Sequence, residues 1–148
     1  MKIIKLHKNA IVPTYAHETD ACFDLYASTV NLSDSHGEYI SQAVPVICGT
    51  GLAFEVPPGY AMLVFSRSGH AFKHNVRLSN CVGVIDSGFT GEVRIKLTSD
   101  HDLTLLYVKP GDRIAQAMLV EVPRVTFEVV EAFGLTQRGA GGFGSSGS

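Results

Sequence analysis

A chain of 148 residues, 45% hydrophobic and 18% charged, can bury one core without disulfide or metal staples, so a single globular domain is expected. Its formal charge of −2 excludes a broad nucleic-acid surface, which needs a basic excess to displace counterions from many phosphates; any phosphate binding must be local. Cys22, Cys48 and Cys81 are odd in number, lack C-x-x-C spacing and read as small core hydrophobes, and no secretory or membrane-spanning run occurs, which predicts a soluble, cytoplasmic protein.

Strands are predicted over 2–6, 23–28, 43–48, 51–56 and 60–65, separated by the polar stretch 31–38 and by Pro57-Pro58-Gly59. A short helix follows near 68–74, with Ser68 as its cap. Further strands are predicted over 76–85, 103–108 and 112–120, with a break at Pro110-Gly111. Period-two alternation sets Val93, Ile95 and Leu97 against Glu92, Arg94, Lys96 and Thr98, and later Val125, Phe127 and Val129 against Arg124, Thr126 and Glu128. Both read as half-buried strands. Many short strands with almost no helical period predict an all-β fold, a jelly-roll-like barrel or sandwich over 1–137 with an arm at 138–148.

His70 and His74 have the i, i+4 spacing of a helical metal pair. No neighbouring Glu or third His completes a zinc site, and Lys73 places a positive charge beside it, so a metal role is not expected. His7, His17, His36 and His101 stand alone in polar segments and read as surface residues.

The arm, Arg138 through Ser148, holds five glycines, three serines, one arginine and one aromatic, a composition that builds no core. Freed backbone amides, the hydroxyls of Ser145 and Ser146 and the Arg138 guanidinium suit a polyphosphate, and Phe143 offers a flat face to a ring. Taken alone, the same composition also fits a disordered tail. Residues 139–144 match G-x-G-x-x-G, but no helix can follow in the residues that remain, and no G-x-x-x-x-G-K-[ST] occurs, so Rossmann and P-loop readings fail. Gly144-Ser-Ser-Gly147 lacks the strained elbow and fixed base of a nucleophilic serine.

Three glycine-punctuated segments hold charge in apolar surroundings: Ser66-Arg-Ser-Gly-His70, Gly83 through Glu92, and Gly111-Asp-Arg-Ile-Ala-Gln116. In the second, an apolar run ends abruptly in Asp86, beside a turn that carries Phe89. Read singly, Asp86 is also a turn-starter, Arg67 an ion-pair partner and Gln116 a solvated strand residue.

In this order the segments resemble the five motifs of the homotrimeric dUTPase family: Ala21-Cys-Phe-Asp-Leu-Tyr-Ala27, Arg67-Ser-Gly69, Asn80 through Glu92, Gly111 through Gln116, and Arg138 through Gly147. The resemblance spans nearly the whole chain. It implies a jelly-roll trimer that hydrolyses dUTP to dUMP and pyrophosphate with Mg²⁺, limiting uracil in DNA and supplying dUMP. Its active sites lie at subunit boundaries, each closed by an arm from a neighbour.

By the same resemblance, Asp86 deprotonates the water that attacks the α-phosphorus, and Asp24 supports the metal through its water shell. Arg67, Ser68, Gly69 and Gln116 hold the phosphate chain. Asn80 and the backbone of Gly83, Val84, Ile85 and Arg94 read uracil, while Phe89 lies under the deoxyribose. Arg138, Phe143, Gly144, Ser145 and Ser146 form the closing arm. The sequence departs from the family at Phe89, usually Tyr; at Gly88, usually Asp; at Ser66, usually Pro; and at Cys22, usually Gly. A dCTP deaminase shares the fold but needs an acidic residue to activate water at the base, and 76–85 holds none. A dUTP-gated regulator that docks a partner protein through Val30–Gln42 is a further alternative; a plain surface loop is the simpler reading of that stretch.

Overall fold

The computed structural model describes residues 1–31, 36–41, 44–101 and 106–142. In chain order the strands are β1 (Lys2–Lys5), β2 (Phe23–Tyr26), β3 (Thr29–Val30), β4 (Glu38–Tyr39), β5 (Val46–Gly49), β6 (Leu52–Glu55) and β7 (Tyr60–Phe65). Helix α1 (Ser68–His74) follows, then β8 (Val76–Leu78), β9 (Val82–Asp86), β10 (Arg94–Ser99), β11 (Tyr107–Val108) and β12 (Arg113–Glu121). Two four-stranded sheets, ordered β2-β12-β7-β9 and β3-β5-β10-β8, carry the fold, with the pairs β1-β6 and β4-β11 beside them. The described pairings are antiparallel. The sheets form a jelly-roll-like sandwich rather than a closed barrel.

The alternation read in 93–98 explains the core. Ile95 and Leu97 of β10 are buried while Arg94 and Lys96 face out. Together with Val46 and Cys48 of β5 they join Leu25, Met62, Val64, Ile114 and Ala117 of the other sheet in one buried cluster. Of the cysteines, only Cys48 is a core residue; Cys22 is half-buried and Cys81 exposed, which corrects the expectation for those two. Burial raises the Cys48 thiol to about 12, so it is an inert hydrophobe there. His7 is also not a free surface residue: its Nδ1 lies 2.8 Å from the Oγ of Ser28, which is buried.

The predicted strand 76–85 is two strands. β8 ends one sheet and β9 ends the other, so the chain changes sheets between them. Cys81 makes the corner with φ of 63° in the left-handed region, and the Val82 N–H closes it by donating to the Asn80 carbonyl at 2.7 Å. Within the stretch Val30–Gln42, the described residues Glu38 and Tyr39 pair with β11, and the rings of Tyr39 and Tyr107 meet at 4.8 Å between centroids. That part is ordered sheet, not plain loop. Residues 103–105 of the predicted strand 103–108 lie outside the described residues, and the end of that strand is β11.

Residues 124–129 keep their alternation but form no ladder among the described residues. Val125 is 69% exposed, Phe127 89% and Val129 99%, so the expected half-burial is not met within one copy. No helix among the described residues is long and apolar enough to cross a membrane.

Candidate active site

One candidate cluster grows from the pairing of β2 with β12. Asp24 stands opposite Gln116, and Gln116 opposite Phe65, so these side chains share a sheet face. Asp24 is 9% exposed, and an isolated buried carboxylate would be costly. Two guanidinium groups offset that cost: Arg67 Nε donates to Oδ1 at 3.0 Å and Arg113 Nη1 to Oδ2 at 3.2 Å. Gln116 Nε2 donates to the Ser66 carbonyl at 3.2 Å, and the Ser66 hydroxyl accepts the Leu78 N–H at 3.0 Å. The departure at Ser66 thus gives the loop a side-chain tie to β8 that proline cannot supply.

Arg113 is the cluster residue that sequence reading gave no role. Residues 113 and 116 are three apart, which in a regular strand puts them on opposite faces. A bulge between Arg113 and Ala115 shifts the register and brings Arg113 to Asp24. A charged residue at the start of a long strand was the available signal, but the bulge is a tertiary fact.

Ser68 does not cap α1. Arg67 holds the N-cap position with extended φ and ψ of −81° and 132°, makes no side-chain cap bond, and Ser68 is the first helical residue. The chain leaves β7 extended and turns only after Arg67, whose carbonyl accepts the His70 and Ala71 N–H groups. Ser68 is left exposed, and the space beside Gly69 is open. Arg67, Ser68, Gly69 and Gln116 therefore gather at one place with the polarity an anion needs. The Nδ1 of His70, in the same helix, is buried with no hydrogen-bond partner among the described residues; burial, then the Arg67 charge, pushes its pKa down to about 4. Among the described residues no three of His, Cys, Asp and Glu come together as a metal-binding group.

A second cluster surrounds the β8–β9 corner. A cavity of about 320 Å³ is lined there by Asn80, Gly83, Val84, Ile85, Arg94 and their neighbours. β9 is the last strand of its sheet, so its outer edge presents unpaired main-chain donors and acceptors. Such an edge can imitate a base-pairing partner. Arg94 is tied back to Glu92 Oε2 at 2.7 Å, and Glu92 Oε1 accepts the Gly51 N–H at 2.9 Å.

Asp86 closes β9 and is exposed; its carbonyl accepts the Phe89 N–H at 3.1 Å. Asp86 lines a cavity of about 610 Å³ with Tyr60, Gly88, Arg124 and Val125. Of the arm, Arg138 Nε donates to the Gly141 carbonyl at 2.9 Å, whereas Phe143, Gly144, Ser145 and Ser146 lie outside the described residues. One chain therefore brings the phosphate-type residues together and the base-type residues together, but not the two groups with Asp86.

A family model for dUTPase matches residues 8–147. The chain belongs to the dUTPase family. The deoxyuridine 5'-triphosphate nucleotidohydrolase of Picosynechococcus sp. is 38% identical over 148 residues, 100% of this chain and 99% of the relative. That of Nautilia profundicola is 40% identical over 147 residues, 99% and 98% of the two chains. A solved variant of the Staphylococcus bacteriophage 80alpha dUTPase with dUpNHpp matches with a TM-score of 0.83 at 26% identity, over 99% of this chain and 98% of that one. The activity is that of a dUTP nucleotidohydrolase, releasing dUMP and pyrophosphate. The relatives bear the hydrolase name and not a deaminase's, in keeping with the missing acid in 76–85.

Proposed function

We propose that Asp86 is the general base of dUTP hydrolysis and that each active site is assembled from more than one copy of the chain, in a homotrimer. The carrying observation is the separation of two groups on one sheet face. Val82, Val84 and Asp86 face outward along β9, and Val82 shares the row of Phe65, Gln116 and Asp24. Three strand spacings across and four residues along then put Asp86 roughly 20 Å from Asp24. An α-phosphate held by the Arg67–Gln116 cluster of the same chain is out of reach of that carboxylate. A neighbour's Asp86 removes the problem.

The exposed apolar run supports assembly. Phe133 and Leu135 continue the exposure of Phe127 and Val129, at 92% and 106%. A second copy is the natural cover for such a stretch.

In the assembled site, Arg67, Ser68, Gly69 and Gln116 bind the phosphate chain, and the β9 edge with Asn80 and Arg94 reads uracil. Cytosine leaves polar groups of that edge unpaired, and the 5-methyl of thymine collides with it. Asp86 takes a proton from the attacking water as the α-phosphorus–oxygen bond to the pyrophosphate breaks. Arg138 and the arm residues Phe143, Gly144, Ser145 and Ser146 close over the nucleotide, which makes 138–148 an arm distinct from the domain 1–137.

Asp24 fits an indirect metal role. Each of its oxygens accepts one guanidinium N–H and keeps a further acceptor position for a metal-bound water. Mg²⁺ bound to the triphosphate would neutralise charge and fix one geometry for in-line displacement. The cytoplasm suits a chain whose three cysteines are free thiols.

Subunit complementation tests the reading. Asp86→Asn and Arg67→Ala chains, each inactive alone, should regain pyrophosphate release when unfolded together and reassembled. Verified mixed trimers without activity would show that base and phosphate cradle act from one chain.

A further inference from the structure

The turn after Asp86 contains a contact that none of the roles above uses. Phe89 folds its ring back over Gly91: a Cβ placed on Gly91 would lie 2.8 Å from the ring's Cζ and 3.1 Å from a Cε. Carbon atoms do not approach that closely, so ring and side chain cannot share the space. The backbone behind Gly91 is pinned, because the Glu92 carboxylate accepts from both the Gly51 N–H and the Arg94 guanidinium. The backbone before it is pinned through the Phe89 N–H on the Asp86 carbonyl. The ring itself is 42% exposed, so a side chain at Gly91 would displace the ring toward solvent rather than the pinned backbone. Gly91 does not lie in the left-handed region, so alanine suits its backbone and only the ring objects.

We propose that Gly91 is a sugar-specificity position: its bare backbone is the seat that holds the Phe89 ring at the height where it collides with a ribose 2′-hydroxyl. The proposal rests on the reading of Phe89 as the deoxyribose platform. Phenylalanine brings no hydroxyl to anchor the ring, so packing on Gly91 sets its position. Gly91 is a positioning residue that acts through Phe89, and a wall that excludes one oxygen atom fails when displaced by a fraction of an ångström.

The test compares kcat/KM for dUTP and UTP, with Mg²⁺, in the full chain and in Gly91→Ala, Phe89→Ala and the double variant. Gly91→Ala lowers the dUTP/UTP ratio by about tenfold or more, whatever the change in absolute rate. The double variant matches Phe89→Ala alone, because the two act as one unit. An unchanged ratio in Gly91→Ala, with a lowered ratio in Phe89→Ala, overturns the role of Gly91. Unchanged ratios in both overturn the platform reading of Phe89. Should Gly91→Ala fail to fold, adding Phe89→Ala removes the crowding and restores folding; no recovery overturns the ring contact.

Discussion

The two ends of the β2-β12-β7-β9 sheet differ in who satisfies them. At the Asp24 end, a buried carboxylate, two guanidinium groups, an amide and a serine complete one another inside a single chain. At the β9 end, Val82 and Val84 are 42% and 58% exposed, and Asp86 stands at an open strand terminus. In its proposed phosphate-binding role the first is arranged before any ligand or partner arrives, which would spare reorganisation when charge develops. In the proposed trimer the second acquires its surroundings on assembly, so that phosphate recognition is a property of the chain and chemistry a property of the oligomer.

The sharpest way to break this contrast is Asp86→Asn. It should lower kcat by about 10²- to 10⁴-fold while calorimetry still detects dUTP binding. Turnover near normal would remove Asp86 as base and with it the need for a neighbour. Truncation after Gln137 comes next: stacking and charge-assisted contacts of the arm are worth about 1–3 kcal/mol, so kcat/KM should drop by about ten- to a hundredfold with the trimer intact by sedimentation. An arm that can be removed without loss would confine the site to residues 1–137.

Asp24→Ala probes the self-sufficient end. It leaves Arg67 and Arg113 without their counter-charge, and because both are partly exposed the expected loss of stability is about 1–3 kcal/mol in urea denaturation. Unaltered stability would mean that the cluster is not held in advance. The smallest effect concerns His70, whose folded pKa of about 4 lies below the ordinary 6.5 through burial and the Arg67 charge. The unfolded chain then takes up a proton first as the solution is acidified. Stability from the neutral ring is complete above about pH 6.5 and declines as pH falls toward about 4. His70→Gln should flatten that limb of the stability profile, and an identical slope would show that the ring is not held neutral by its surroundings.

Period-two alternation and glycine-punctuated breaks were enough to read an all-β fold, because turns and strands are local properties, while the family was read from its resemblance in five ordered motifs, which also supplied Asp86, Arg67 and Gln116 as the site residues proposed. Tertiary structure alone decided the rest. The corner at Cys81 exists because β8 and β9 end different sheets, and Arg113 reaches Asp24 because of a bulge that no alternation pattern announces. The strand written in 124–129 finds no partner among the described residues, since a pattern states which face wants burial and never which surface will provide it.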